Sequence, residues 1–359
     1  MKVLGIVNFE DDSVKIDGLG DYRPVPAVSF MGRYRIIDVI LSNMTNSGID
    51  NVHVYCKEKP RNLFDHLGDG SMYNINSKRG KLRILYGEKP FSSPVYNTDI
   101  ANFMLNMQYI EEDPNPYVLI APSYFVYNFD FNEAFNAHVE SGADITVLYT
   151  STNDAKTKFL SCDVIQMDKE KRILSFEKNR GKSKSRQVSM EAYILSKALF
   201  IQLIKQAANV SSLYWFKDIL HDQVNELVIK GYGVRGYVAC IDSLSAFYKV
   251  AMELKNLNNA EALFKEDRPI YTQTNDSSPT RYTSDACVKE SIIANGCLIE
   301  GTVEGSIIGR NVTIKEGAYV KDSIIMTDAV IDKDAKLEYV VVDKYAIVHH
   351  IKKLVGSED

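Results

Sequence analysis

The last quarter of the chain carries a repeat that few architectures can accept. Ser291-Ile292-Ile293, Ser306-Ile307-Ile308 and Ser323-Ile324-Ile325 recur, and Val340-Val341-Val342 follows one repeat further on. Within this stretch aliphatic residues step by six, through Ile308, Ile314 and Val320 and again through Ile325, Ile331 and Leu337. An ordinary sandwich strand alternates in twos, because successive side chains point to opposite faces. A six-residue step with Asn-Gly, Glu-Gly and Gly-Arg-Asn corners is the mark of a parallel β-helix that turns three corners per coil and stacks its aliphatics inward. A few such coils leave open edges, so packing against the rest of the chain or another subunit is expected.

Ahead of the repeat, β-rich runs at 3–7, 51–56, 82–86, 117–121 and 144–149 alternate with helical periodicity at 35–46, 99–110 and 132–140. That alternation is expected of βαβ units on a mostly parallel sheet. Further strand runs at 162–167, 172–178 and 190–195 precede helices over 197–208 and 216–229 and a strand over 232–241. Asp242-Ser243 stands where short oxygen-bearing side chains cap a helix, here over 244–254. Segment 267–283 has the Pro, Asn, Ser and Thr content of a linker. It divides an α/β domain over 1–266 from the coil over 284–359.

Composition removes several classes of function. Basic residues number 42 against 47 acidic, a net charge of −5 spread evenly, which is not the footprint of a nucleic-acid binder. No apolar run approaches the eighteen or so residues of a membrane helix, and the N-terminal apolar run soon meets Glu10, Asp11 and Asp12. A cytoplasmic location and no membrane partner are expected. The five cysteines, scattered and without a C-x-x-C pair, fit reduced thiols and neither a zinc site nor a disulfide framework.

The run from Arg23 to Asp38, RPVPAVSFMGRYRIID, continuing through Leu41-Ser42-Asn43 and Asn46-Ser47-Gly48-Ile49, resembles the glucose-1-phosphate adenylyltransferase family, whose string reads R-A-K-P-A-V-x-F-G-G-x-Y-R-I-I-D-x-x-L-S-N-x-x-N-S-G-I. Phe176-Glu177-Lys178, Ser189-Met190, Lys217-Asp218-Ile219, Ile241-Asp242-Ser243 and Pro269-Ile270-Tyr271-Thr272 match further along. The resemblance spans nearly the whole chain. It implies a Rossmann-like α/β nucleotidyltransferase domain followed by a left-handed parallel β-helix of hexapeptide repeats.

The same resemblance shows what is missing. Nucleotidyl transfer from ATP needs donors around the triphosphate and a cation on its charge. In the family a G-G-x-G-x-R-L loop after the first strand supplies backbone amides; here the position reads Asn8-Phe9-Glu10-Asp11-Asp12-Ser13, with three acidic side chains where a polyanion should arrive. The family's lysine in R-A-K-P-A-V is Val25, leaving Arg23 alone nearby. The first metal-binding aspartate of G-D-x-x-Y-x-x-D aligns with Tyr124, after Ser123, and a neutral phenol is a poor Mg²⁺ ligand. The second matches Asp242, which without its partner reads first as a helix cap and only second as a vestigial metal ligand. On the sugar-phosphate side Lys178, Glu177 and Ser189 are retained, while the glycine of S-M-G is Glu191 and the proline after Lys178 is Asn179. Arg33 and Arg35, read on the first helix, are candidate anion or effector contacts or an ordinary solvated face. The pair His349-His350 lacks a third ligand and reads as an exposed terminus.

Together these features imply a catalytically impaired regulatory subunit with no cofactor of its own, Mg²⁺ residing in a catalytic partner. The resemblance implies a heterotetramer with that partner, a homodimer when alone, and a sugar-phosphate effector. Three other readings stay open: a self-sufficient nucleotidyltransferase with an atypical site, a sugar-phosphate sensor using Lys178, and a hexapeptide acyltransferase. The last needs a histidine in the coils as base, and none lies between Cys287 and Val348.

Overall fold

The first strand, Val3–Asn8, is apolar on both faces and is covered on both: Leu4 and Ile6 pack in one layer with Phe103, Phe200 and Phe216, while Val3 and Val7 pack in the other with Ile37 and Ile40. Burial on both faces is what a continuous apolar run demands of a central strand. In the computed structural model, which describes residues 1–75, 80–87 and 96–357, this strand pairs in parallel with Asn51–Cys56 and with Tyr117–Pro122. Lys81–Tyr86 extends the parallel block.

The sheet is mixed beyond that block, contrary to the mostly parallel expectation. The eleven-residue strand Arg186–Ser196 runs antiparallel to Tyr117–Pro122, Ile145–Thr152 and Asp163–Met167, and Ile173–Lys178 pairs antiparallel with Asp163–Met167. The connection 168–172 is too short for the crossover of a dozen or more residues that a parallel pair requires, so Asp163–Met167 and Ile173–Lys178 pair antiparallel.

Three periodic runs end earlier than the sequence suggests. The helix expected over 99–110 is two, Asp99–Leu105 and Met107–Glu112, because Asn106 leaves helical geometry. The helix from Phe216 stops at Asp222, and Ile229 opens a strand, Ile229–Gly233, that pairs in parallel with Ile145–Thr152. The single strand expected over 232–241 is broken by Gly236 at φ +101° into Ile229–Gly233 and Val238–Cys240.

The C-terminal repeat is a left-handed parallel β-helix whose three walls are stacks of short parallel strands. The aliphatics of the six-residue step, including Ile308, Ile314, Val320, Ile325, Ile331 and Leu337, are buried inside it. The serines of the repeat have their own task. Ser306 Oγ accepts the Ser323 amide at 3.1 Å and Ser323 Oγ accepts the Val340 amide at 3.1 Å, while Ser323 Oγ donates to the Lys321 carbonyl at 2.6 Å. Each hydroxyl thus ties one coil to the next through a polar ladder. Asn311, Asp322, Asp328 and Asp334 occupy left-handed corners, which short polar side chains tolerate.

The coil begins inside the segment read as linker, since Arg281–Tyr282 already pairs with Leu298–Ile299. Upstream, the segment is pinned to the α/β domain: the Tyr271 amide donates to Ser42 Oγ at 2.8 Å and Arg268 Nη2 donates to the Phe129 carbonyl at 2.9 Å. The coil packs on the domain through Tyr248, whose hydroxyl donates to the Asp322 carbonyl at 2.6 Å, and through an Arg23–Asp343 ion pair. No helix among the described residues is long and apolar enough to cross a membrane.

Candidate functional site

Asn8 ends the central strand at the carboxyl edge of the sheet, where open α/β sheets receive ligands. Asn8 Nδ2 donates to Asp99 Oδ2 at 2.8 Å, and the buried Phe9 ring packs edge-on against Trp215 with centroids 5.7 Å apart. Behind them lies a cavity of about 20 Å³ among Asn8, Phe9, Asp99, Glu191, Trp215 and Lys217, which is room for about one water molecule.

The acidic run does not act as three free carboxylates, which corrects the expectation. Lys217, on the helix Phe216–Asp222, forms an ion pair with Asp11 and stands 3.6 Å from Glu191. Tyr124 donates its hydroxyl to Glu191 Oε2 at 2.7 Å, so the four side chains form one chain of contacts. Burial works against charge on Lys217, but Glu191 and Asp11 outweigh it and raise its pKa. Burial pushes Asp11 upward too, yet Lys217 and Ser13 hold its carboxyl below the usual range. Asp12 pairs with Lys57 at 2.6 Å. Glu10 is the exception: desolvation raises its pKa, and its buried Oε2 has no hydrogen-bond partner. The acidic run is thus largely paired internally, and Glu10, Asp11, Asp12, Arg23 and Val25 line an open cavity of about 270 Å³.

Glu191 shows how the change was accommodated. It sits at φ +51°, beside a bulge between Ser189 and Ala192, in the left-handed region that favours the glycine of the family's S-M-G. The backbone keeps a glycine conformation while the side chain reaches to Tyr124 and Lys217.

A Mg²⁺ site fits these residues poorly. Phe125–Tyr127 pairs with Val238–Cys240, and the Ile241 amide donates to the Tyr124 carbonyl at 2.8 Å, so Tyr124 and Asp242 do lie on neighbouring strand ends. Burial and the adjacent Glu191 keep the Tyr124 phenol neutral. Asp242 Oδ2 accepts from Ser161 Oγ at 2.6 Å, and the helix cap is Ser243, whose Oγ accepts the Ala246 amide at 3.1 Å. One committed carboxylate and one neutral phenol are not the hard oxygen set that Mg²⁺ requires.

The remaining candidates are dispersed. Lys178 is exposed and lines, with Ser161 and Asp242, a cavity of about 540 Å³. Glu177 accepts from Gln166 Nε2 at 3.1 Å, and Ser189 is buried, its hydroxyl accepting the Glu191 amide at 3.2 Å. Val25 is packed in the turn Val25–Ala27, and Arg23 is committed to Asp343 of the coil. Arg33 and Arg35 precede the first helix, Ile36–Asn46, and are not on it. Arg33 lies exposed over the Tyr34 ring, whereas Arg35 Nη1 donates to the Asn62 carbonyl at 2.6 Å. His349 and His350 are exposed. Sequence reasoning passed over Lys217 and Trp215 as site residues. The signal was an unpaired acidic run in a position that must be buried, which calls for a cation elsewhere in the chain.

Residues 16–234, more than half of the chain, match the nucleotidyl transferase family. The chain belongs to that family. The chain also matches the GlmU-like C-terminal hexapeptide domain, over residues 278–358. It is 34% identical over 322 residues to the glycogen biosynthesis protein GlgD of Geobacillus stearothermophilus, covering 89% of this chain and 83% of that protein. GlgD of Bacillus subtilis (strain 168) is 29% identical across 100% of this chain and 94% of its own length. The glucose-1-phosphate adenylyltransferase of Bacillus thuringiensis (strain Al Hakam) is also 29% identical, over 90% of this chain and 86% of its own length. The chain thus falls among family members named for glycogen biosynthesis and for glucose-1-phosphate adenylyl transfer.

Proposed function

We propose that the chain is a regulatory, catalytically impaired subunit of glucose-1-phosphate adenylyltransferase, the assembly that converts ATP and glucose 1-phosphate to ADP-glucose and diphosphate in glycogen synthesis. The observation that carries this reading is the Asp11–Lys217–Glu191–Tyr124 network, in which a paired carboxylate stands in the run that replaces the family's glycine-rich loop and a phenol stands in place of its first metal-binding aspartate. Similarity to two proteins named GlgD supports the same division of labour. On this reading Mg²⁺ belongs to the catalytic partner, the two subunits form a heterotetramer in the cytoplasm, and the chain alone is a homodimer. Arg33 and Arg35 are the contacts proposed for a sugar-phosphate effector of the assembly.

The test is an assay of the purified chain alone and mixed with a catalytic glucose-1-phosphate adenylyltransferase, with size measurement of the mixture. The chain alone should form ADP-glucose at a negligible rate and should raise the rate or affinity of its partner. Robust turnover by the isolated chain would instead support a self-sufficient enzyme. Retained sugar-phosphate binding is a second, compatible reading, favoured by the cavity shared by Lys178 and Asp242. Calorimetric titration with glucose 1-phosphate tests it, and a flat titration would remove it.

A further inference from the structure

The connection between Ile173–Lys178 and Arg186–Ser196 places a cation at every second position: Lys178, Arg180, Lys182, Lys184 and Arg186, with no acidic residue between them. All five are exposed, and none is in an ion pair among the described residues. Among the described residues their one polar side-chain contact, Arg186 Nη2 to Ser183 Oγ at 2.8 Å, is to a neutral group. In a chain of net charge −5, so many unpaired cations in nine residues repel one another and gain from a shared counter-anion.

The connection is built to hold that arrangement. Asn179, which stands where the family has proline, is buried and donates its amide to the carbonyls of Ala155 at 2.9 Å and Phe159 at 3.0 Å. Its Oδ1 accepts the Gly181 amide at 3.1 Å, and the Ala155 amide donates to the Lys184 carbonyl at 3.0 Å. Gly181 lies at φ +66°, and a side chain there would press on the Lys156 carbonyl at 3.0 Å. The backbone under the cations is therefore fixed, which lowers the ordering cost of binding. Lys178, Arg180, Lys182 and Arg186 line a concavity of about 340 Å³, in which Glu177 is the one carboxylate and already accepts from Gln166.

We propose that this concavity is a binding site for a small anion carrying at least two phosphoryl groups. A single phosphate uses two or three donors and leaves the remaining cations uncompensated, whereas guanidinium groups at Arg180 and Arg186 match two phosphoryl groups at once. A concave site of this volume suits a small molecule better than a flat protein surface. The inference concerns this chain's own surface and does not depend on a catalytic partner.

The experiment is calorimetric titration of the isolated full chain with inorganic pyrophosphate, in magnesium-free low-salt buffer, with orthophosphate as the comparison. Pyrophosphate should bind saturably with one-to-one stoichiometry and at least tenfold more tightly than orthophosphate, and added salt should weaken it. Arg180→Ser/Arg186→Ser should lose at least tenfold in pyrophosphate affinity, with an unchanged melting temperature in ligand-free buffer. A flat wild-type titration, or a double variant that binds as tightly as the wild type, would overturn the proposal. So would a flat titration accompanied by loss of association between the double variant and a catalytic relative, which would assign the cations to a subunit contact.

Discussion

Lys217 and Asp11, 206 residues apart in sequence, form an ion pair whose side chains are only 16% and 15% exposed. Glu191 shares the same ammonium at 3.6 Å. Removing one member of a buried ion pair leaves the others as uncompensated charge, at a cost of about 3–5 kcal/mol. Lys217→Met is therefore expected to lower stability by about 3 kcal/mol in urea unfolding. In an Asp11→Asn/Glu191→Gln background the same change should cost under about 1 kcal/mol, because no charge is stranded. Equal losses in both backgrounds would show that Lys217 acts by packing alone.

The contact between Arg23 and Asp343 joins the two domains. Arg23 is 3% exposed and its Nε finds no partner, so its guanidinium relies on Asp343 and on its packing. Since Asp343 is 32% exposed, solvent screens the pair and its coupling should be about 1–2 kcal/mol. A double-mutant cycle with Arg23→Ala and Asp343→Ala reads this directly. A coupling below about 0.5 kcal/mol would remove the pair from the domain junction.

The serine ladder makes its own demand. Ser306 and Ser323 are fully buried, and each hydroxyl both accepts the amide of the next coil and donates to a carbonyl two residues back. Ser323→Ala strips the Val340 amide of its acceptor, and a buried unsatisfied group costs about 1–3 kcal/mol. Thermal unfolding should move accordingly, and amide exchange at Val340 should accelerate before that of the α/β sheet. Unaltered exchange at Val340 would mean that water or a shifted coil replaces the hydroxyl.

Asp99 gives the molecule a pH signature. Burial pushes its carboxyl up to about 7, against the hydrogen bonds it accepts from Asn8 and the Phe216 and Ile100 amides. Between the unfolded value near 4 and the folded value near 7, the native state binds a proton that the unfolded state does not. Stability from this group is thus complete below about pH 4 and is lost as pH rises through 7, at up to about 1.4 kcal/mol per unit. Asp99→Asn cannot titrate, so the difference in unfolding free energy between variant and wild type should shift toward the variant from pH 5 to 8. A pH-independent difference would place the Asp99 carboxyl outside that window.

The chain by itself determined the coil and the central sheet. A six-residue aliphatic step has one compact solution, and apolar runs such as Val3–Asn8 can only be buried on both faces. That the first strand is followed by Asn8-Phe9-Glu10-Asp11-Asp12 and not by paired glycines was equally plain, because it is a property of residue types at one place. The connection 168–172 already limited Asp163–Met167 and Ile173–Lys178 to an antiparallel pair, although a reading by periodicity alone missed this.

The tertiary structure alone decided what the acidic run does. An isolated carboxylate repels a phosphate, whereas one held against an ammonium is a structural strut, and the distance between Asp11 and Lys217 is not written in either segment. The same holds for Arg23, left by the sequence as the remaining cation near the acidic run and committed by the fold to Asp343, and for Glu191, which stands where the family has glycine and whose left-handed backbone brings its carboxylate to the Tyr124 hydroxyl. Electrostatic roles depend on which partner lies within a few ångströms and how much water remains, and only folding sets both.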